Sequence, residues 1–540
     1  MPGVILENLS GRKLFVLVSV LMVLLVACFL IGGLVAPPPS NAEHFIAIKC
    51  FDYDNTSWFY TRGEGRCNEY NLHYHIDIEN DQIADKVVFV FQIPTPKDNI
   101  ILDYSRWQQN LIGVLSFEIM YDGVFEMPND VLLTMDVKLG YRNRGDKDYD
   151  WKLYASSTVE RHLDCSIGTK KKEYNYNCSI VPLFELGSLH HDYYLLNIRF
   201  PVDQKTQINT NLGDLEDLGL VAINQNGGFT VVWLILKTTF FPLIILTMMW
   251  FWNRVHQLKR SPVLLEYMIL SLGGTLTLLN APFEWLTLYF DLPFMPLFID
   301  IRQGIFYASL LSFWLVFAGE HLMINDPQPH HLSIYVKHLS AVAIGCISLL
   351  IFDLFEKGSQ VTNPFYSIWV TSLGTNLALT FIICAGISAS IYFIFLCYMI
   401  WKVFCNINVK RSSLPSMSSV RRLHYEGIIY RFKFLMLATL TCAAMTVIGF
   451  ILDQVSDGRW KWDEHIEIEY TSAFLTGVYG MWNIYILALI ILYSPSHKQW
   501  PSDVDLISSA GDEIELSRIS ANEPNEISLL TSLAKKVSGD

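Results

Sequence analysis

Three ionisable residues stand inside otherwise apolar runs of this chain: Lys237, Glu266 and Glu284. A charge surrounded by hydrocarbon is costly and is retained where it pairs or lines a polar path, so each is a candidate for function. Lys237 either pairs with a carboxylate on a neighbouring helix and opens a polar path, or snorkels to a surface. Two intramembrane aspartates would suit a protease, but Asp353 and Asp453 fall at the ends of their runs, where acids sit at an interface. No H-E-x-x-H, G-x-S-x-G or phosphate-binding loop occurs. The residues therefore assign no catalytic chemistry, no metal and no cofactor.

Thiols are the other reactive groups. The chain has ten cysteines, and Cys50, Cys67, Cys165 and Cys178 lie together in the long polar segment. An even set in an oxidising compartment suggests two disulfides. Three pairings are possible, and local closure favours Cys50 with Cys67 and Cys165 with Cys178. Glycosylation sequons open at Asn55 and Asn177 in the same segment, the second beside a candidate disulfide cysteine.

The elements that position these groups follow from hydropathy. Of 540 residues, 51% are hydrophobic and only 17% charged, short of the usual quarter or so in soluble proteins. A helix crosses the hydrocarbon core in about 20 apolar residues. Runs at 14–36, 231–252, 264–290, 304–324, 339–355, 377–401, 434–452 and 473–493 qualify, the fifth being short. The expectation is a polytopic α-helical membrane protein with about eight spans, one and then seven. The first run competes with a cleaved signal peptide, but it is too long for such a segment and Pro37 follows it. It reads as an anchor.

Basic residues favour the cytoplasm. Arg12 and Lys13 put the N-terminus (1–13) inside. The loop 402–433 carries Lys402, Lys410, Arg411, Arg421, Arg422, Arg431 and Lys433 against Glu426 alone, and falls inside if all eight spans are kept. The net charge is −13 and there is no large basic patch, so nucleic acid is not an expected partner. The segment 37–228 lies outside. Its residues alternate with period two at 115–119, 135–141 and 194–200, where Asn197 and Arg199 face away from Leu196 and Ile198. Further strands are expected at 45–50, 87–93 and 218–223, which suggests an antiparallel β-sandwich inserted on the luminal side. A seven-helix bundle (229–494) and a Ser-, Glu- and Asn-rich tail (495–540) expected to be disordered complete the chain.

Tyr425, Glu426, Gly427 and Ile428 fit Tyr-x-x-Φ, a segment that binds clathrin adaptors in extended form. The competing reading is a juxtamembrane helix whose Tyr425 and Ile428 face the bilayer. Seven spans after a domain also invite a G-protein-coupled receptor reading. However, Asn363-Pro-Phe-Tyr366 is one residue short of N-P-x-x-Y and falls in an outside loop. Pro242 and Pro282 can kink their spans, but no repeat suggests a transporter.

Several longer blocks resemble the Wntless family of Wnt cargo receptors. They include Glu7-Asn-Leu-Ser-Gly-Arg-Lys13, Tyr104-Ser-Arg-Trp-Gln-Gln-Asn-Leu-Ile-Gly113 and Asp300-Ile-Arg-Gln-Gly-Ile-Phe-Tyr-Ala308. Arg421-Arg-Leu-His-Tyr-Glu-Gly427 and Tyr479-Gly-Met-Trp-Asn-Ile-Tyr485 extend the likeness, which runs from Glu7 to Lys498. The resemblance implies a carrier of acylated Wnt proteins that cycles among endoplasmic reticulum, Golgi, plasma membrane and endosomes. By the same resemblance, clathrin adaptor and retromer would retrieve it, with Tyr425 and Ile428 as the return signal. Such a carrier must shield an acyl chain from water within the bundle and lipid bilayer. Candidate wall residues are Phe306, Tyr307, Phe313, Trp314, Phe381, Tyr392 and Phe393.

Overall fold

A computed structural model of the chain describes residues 4–9, 11–52, 60, 61, 67, 86–95, 102–121, 126–128, 130–167, 174–203, 205–210, 212, 214–258, 260–322, 332–413, 426, 427, 429, 430, 432–442, 444, 445 and 471–496. The first long helix, α1 (Gly11–Leu30), continues as a π-helical turn over Ile31–Val35. Ten strands follow. Strands β1 (Ser40–Ile46), β10 (Asp214–Gln225), β4 (Leu111–Met120) and β8 (Val181–Leu186) form one antiparallel sheet in the order β1-β10-β4-β8. The second sheet has the order β2-β3-β9-β5-β6-β7, built from Ile48–Phe51, Val87–Ile93, Tyr193–Arg199, Asp130–Arg142, Lys152–Ser166 and Asn177–Cys178. Phe89, Phe91, Leu115, Phe117, Met135, Leu139, Leu196 and Leu220 fill the space between the sheets, as alternation of apolar and polar residues requires.

Alternation fails in β9, where Asn197 is buried instead of facing solvent. The outer face of this sheet carries a second, smaller core of Cys50, Tyr60, Val88, Val90 and Leu195. Tyr60 donates its backbone N–H to Asn197 Oδ1 at 3.1 Å, which satisfies the carbonyl oxygen of this buried amide. Cys50 is bonded to Cys67, and Cys165 to Cys178 across the β6–β7 pair.

The bundle comprises α2 (Gly227–Gln257), α3 (Leu264–Asn280), α4 (Met295–Leu322), α5 (Val336–Gln360), α6 (Ser372–Ser413), the shorter α7 (Phe432–Cys442) and α8 (Thr471–Leu492). The run at 264–290 is not one helix. Pro282 ends α3, because it offers no N–H to continue the ladder, and Phe283–Leu288 forms a 3-10 turn. The short fifth run is a 25-residue helix, Val336–Gln360.

Seven of the described helices are long and apolar enough to cross a membrane. Ile5 donates its N–H to the Ser494 carbonyl at 2.9 Å, so the chain's first described residues and the end of α8 share one side. Helix α6 also ends there: Phe404 packs on Phe432 at 5.5 Å, and Phe432 on Phe317, which meets Tyr493. The start of α8 lies at the other end, where Ser472 Oγ donates to the Pro37 carbonyl at 2.5 Å. Between α6 and α8 in the chain lies the shorter apolar helix α7.

Candidate functional site

The β-sandwich rests on one end of the helical bundle through the segment that precedes β4. Trp107 packs edge-on against Trp285 with ring centroids 5.8 Å apart. Arg106 donates to the Leu288 carbonyl at 3.2 Å, and Gln109 Nε2 to Thr287 Oγ1 at 3.2 Å. All three acceptors and partners sit in the 3-10 turn after Pro282. A second contact lies across the sandwich, where Glu185 donates its N–H to the Pro364 carbonyl at 3.0 Å.

The same 3-10 turn carries Glu284 into the bundle. Its Oε1 accepts from Lys237 Nζ of α2 at 2.5 Å and from Arg302 Nη2 of α4 at 2.6 Å. The three side chains are 4%, 2% and 1% exposed. Arg302 Nη1 also donates to the Ala281 carbonyl at 2.7 Å, at the place where Pro282 interrupts the helix. Beside this cluster Asn280 Nδ2 donates to Asn483 Oδ1 at 2.6 Å, and Tyr479 donates its hydroxyl to Asn280 Oδ1. Buried charges keep their ionised state only with such partners.

Above and beside the cluster, between the sandwich and the bundle, is a cavity of about 790 Å³. Gln109, Asn110, Asn224 and Gln225 form its polar roof. Lys237 and Glu284 reach its wall. Phe229, Trp233, Phe306, Tyr307, Leu475 and Trp482 make the rest largely apolar. A second cavity of about 570 Å³ lies between α4, α5, α6 and α7. Its wall is aliphatic, methionine, glycine and aromatic residues, with Ser388, Thr439 and Cys346 as the polar exceptions. The two are separated by Trp314 and Trp482, whose rings lie 6.1 Å apart. Both volumes fall in the range of about 300–1,000 Å³ typical of ligand sites.

The division into a sheet domain and a helical bundle coincides with two family profiles. A Wntless GOLD-domain profile matches residues 48–225, and a Wntless-like transmembrane-domain profile matches residues 226–497. Full-length similarity points the same way. The chain is 58% identical to Protein wntless of Drosophila mojavensis, with 100% of each chain covered. It is 57% identical to that of Drosophila virilis and 55% identical to that of Drosophila sechellia, again over 100% of both chains. The chain belongs to the Wntless family.

The boundary between the two Wntless domains falls where β10 ends. Asn226 caps α2 by accepting from the Gly228 N–H at 2.9 Å, and Gln225 N–H is held by Asn110 Oδ1 at 2.9 Å. The change from sheet to helix therefore occurs without a loose linker.

The structure divides the wall residues expected from sequence. Phe306 and Tyr307 line the junction cavity, whereas Trp314, Tyr392 and Phe393 line the second. Phe313 and Phe381 line neither. Phe313 is wholly buried against Phe317. Lys237 and Glu284 come together, but Glu266 does not join them. It binds Arg260 at 2.6 Å and the Val263 N–H at 2.9 Å, closing the first turn of α3. Asn363-Pro-Phe-Tyr366 is part of the α5–α6 loop that docks on the sandwich through Phe365. Asn177 is exposed on β7, while Asn55 lies outside the described residues. Within the candidate sorting tetrapeptide 425–428, Glu426 is helical and exposed and Gly427 helical and half-buried. Tyr425, Ile428, Asp453 and the tail beyond 496 lie outside the described residues.

Arg302 was missed because the fourth apolar run starts at 304, which places this residue in a loop. The signal was present: Met295–Leu322 is apolar throughout except for its few charges, and one more helical turn would have included Asp300 and Arg302.

Proposed function

We propose that this Wntless-family chain is a sorting receptor for lipid-modified Wnt proteins, which it carries through the secretory pathway to the cell surface. The acyl chain of the cargo occupies the junction cavity, and the cargo's polypeptide docks on the polar roof and the β-sandwich. The observation that carries this reading is the junction cavity itself: an apolar slot that opens beneath a folded luminal domain. An acyl chain in water loses about 0.8 kcal/mol for each CH₂ left exposed, so a carrier must supply both features at once. After release the chain returns by endocytosis, with Tyr425 and Ile428 held by a clathrin adaptor, and by retromer from endosomes to the Golgi.

A second location for the acyl chain is the cavity between α4 and α7, favoured by its almost wholly apolar wall and by the three candidate residues on it. The two locations are separated by photocrosslinking. A Wnt bearing a diazirine-labelled acyl chain should label the α4 and α8 peptides around Phe306 and Leu475. Labelling of α6 around Tyr392 would move the slot to the second cavity. In producing cells that lack the endogenous protein, the wild type should restore Wnt to the medium, and Tyr425→Ala should accumulate at the surface. Secretion of every acylated Wnt without the protein would overturn the assignment.

A further inference from the structure

The buried ion cluster is not balanced. Lys237 and Arg302 both bind one oxygen of Glu284, at 2.5 and 2.6 Å, and among the described residues neither cation has a second carboxylate partner. With both side chains protonated, two cations on one carboxylate leave a unit of positive charge among groups that are almost fully buried. Such an excess is unfavourable in a low-dielectric interior. Aromatic faces reduce the cost without cancelling the charge: Trp233 lies 5.6 Å from Lys237 Nζ, and Phe283 and Phe298 lie 5.4 and 4.8 Å from the Arg302 guanidinium. Of the two cations it is Lys237 that reaches the wall of the junction cavity.

We propose that the junction cavity binds a single-chain amphiphile with an anionic head, a free long-chain fatty acid, whose carboxylate completes the charge balance at Lys237 while its tail lies along Trp233, Phe306, Leu475 and Trp482. The head must be small. Lys237 is 3% exposed, so a glycerophosphate head could reach it only by drawing its glycerol and both tails into the bundle. The inference shares its cavity with the cargo reading but does not require it. An ester-linked acyl chain is neutral and leaves the excess charge uncompensated, so the free acid and the cargo chain are chemically distinct occupants of one space.

The test uses the full chain in phosphatidylcholine nanodiscs with no cargo present, and the probes are palmitoleate and its methyl ester. Palmitoleate should bind at least ten-fold more tightly than the ester. Lys237→Met, which leaves the balanced pair Glu284–Arg302, should remove that preference while retaining ester binding, and Lys237→Arg should retain it. Equal binding of acid and ester to the wild type, or a preference that survives Lys237→Met, overturns the proposal. Titration with phosphatidate separates the two sources of an anionic head. Failure to displace palmitoleate supports the fatty acid, and displacement that depends on Lys237 shows that the occupant is a phospholipid instead. The wild-type comparison of acid and ester stands even if a variant fails to fold.

Discussion

Arg161 of β6 donates its Nη2–H to the carbonyl of Phe365 at 2.6 Å, which ties the core of the sandwich to the loop between α5 and α6. The same guanidinium donates to the carbonyls of Pro182 at 2.8 Å and Leu183 at 3.2 Å. Burial holds its pKa below the usual arginine value, and the neighbouring Glu356 opposes that. One buried side chain thus satisfies three carbonyls beyond its own strand and joins two domains.

Replacing it with an apolar side chain of similar length removes all of these donors at once. Arg161→Met should destabilise the folded chain by about 2–4 kcal/mol, since the orphaned carbonyls stay buried. The loop at 361–371 should become cleavable by protease while the bundle stays intact. Unchanged thermal unfolding together with unchanged proteolysis would show that the tie is dispensable.

The cluster around Glu284 predicts an asymmetry between its members. Glu284→Gln leaves Lys237 and Arg302 facing each other without a counter-charge and should cost about 3–5 kcal/mol. Lys237→Met leaves a one-to-one pair and should cost under about 1.5 kcal/mol. Thermal unfolding in detergent checks the order, and equal losses would contradict the charge-excess reading.

Helix α1 packs on α8 through small residues. A Cβ on Gly480 would lie 2.5 Å from Cys28 Sγ, and one on Gly477 would lie 2.4 Å from the Phe29 ring. Thr476 Oγ1 donates to the Cys28 carbonyl at 3.1 Å within this contact. Gly480→Leu should push the helices apart at a cost of about 1–3 kcal/mol. Gly386→Leu on α6 is the control, because no atom lies within 4 Å of its added Cβ. A lower yield of monodisperse protein for the first variant alone is the expected result.

His191 predicts a response to acid. Its ring stacks on Tyr141 at 3.7 Å, and Nδ1 meets Asn143 Oδ1 at 3.0 Å. Burial and the neighbouring His190 hold the imidazole below its ordinary pKa, with Asp291 and Asp192 pulling the other way. A folded pKa below the unfolded one means that the unfolded state takes up the proton first. Stability is then full above about pH 6.5 and declines as the pH drops below it. His191→Phe keeps the stacking and should lessen the loss in Tm between about pH 7.5 and 5.5. An identical slope in the two proteins would remove His191 from the response.

The membrane class and the antiparallel sandwich were legible from the sequence alone. Each rests on a local or periodic property: run length for helices and alternation for strands. Wntless resemblance was also legible, because its blocks are contiguous in the chain. What tertiary structure alone decided was which distant residues meet. Lys237, Glu284 and Arg302 come from three elements, and Pro282 had to end α3 before Glu284 could turn inward to join them. Alternation placed Asn197 outside, but a second small core covers that face. Aromatic residues in the spans looked alike in sequence, and only the packing of α4 against α6 and α8 sorted Phe306 and Tyr307 into one cavity, Trp314, Tyr392 and Phe393 into another, and Phe313 into the core. Hydropathy reports that a residue is buried. Which neighbour buries it is set by helix rotation and crossing, a property of the whole bundle rather than of any one segment.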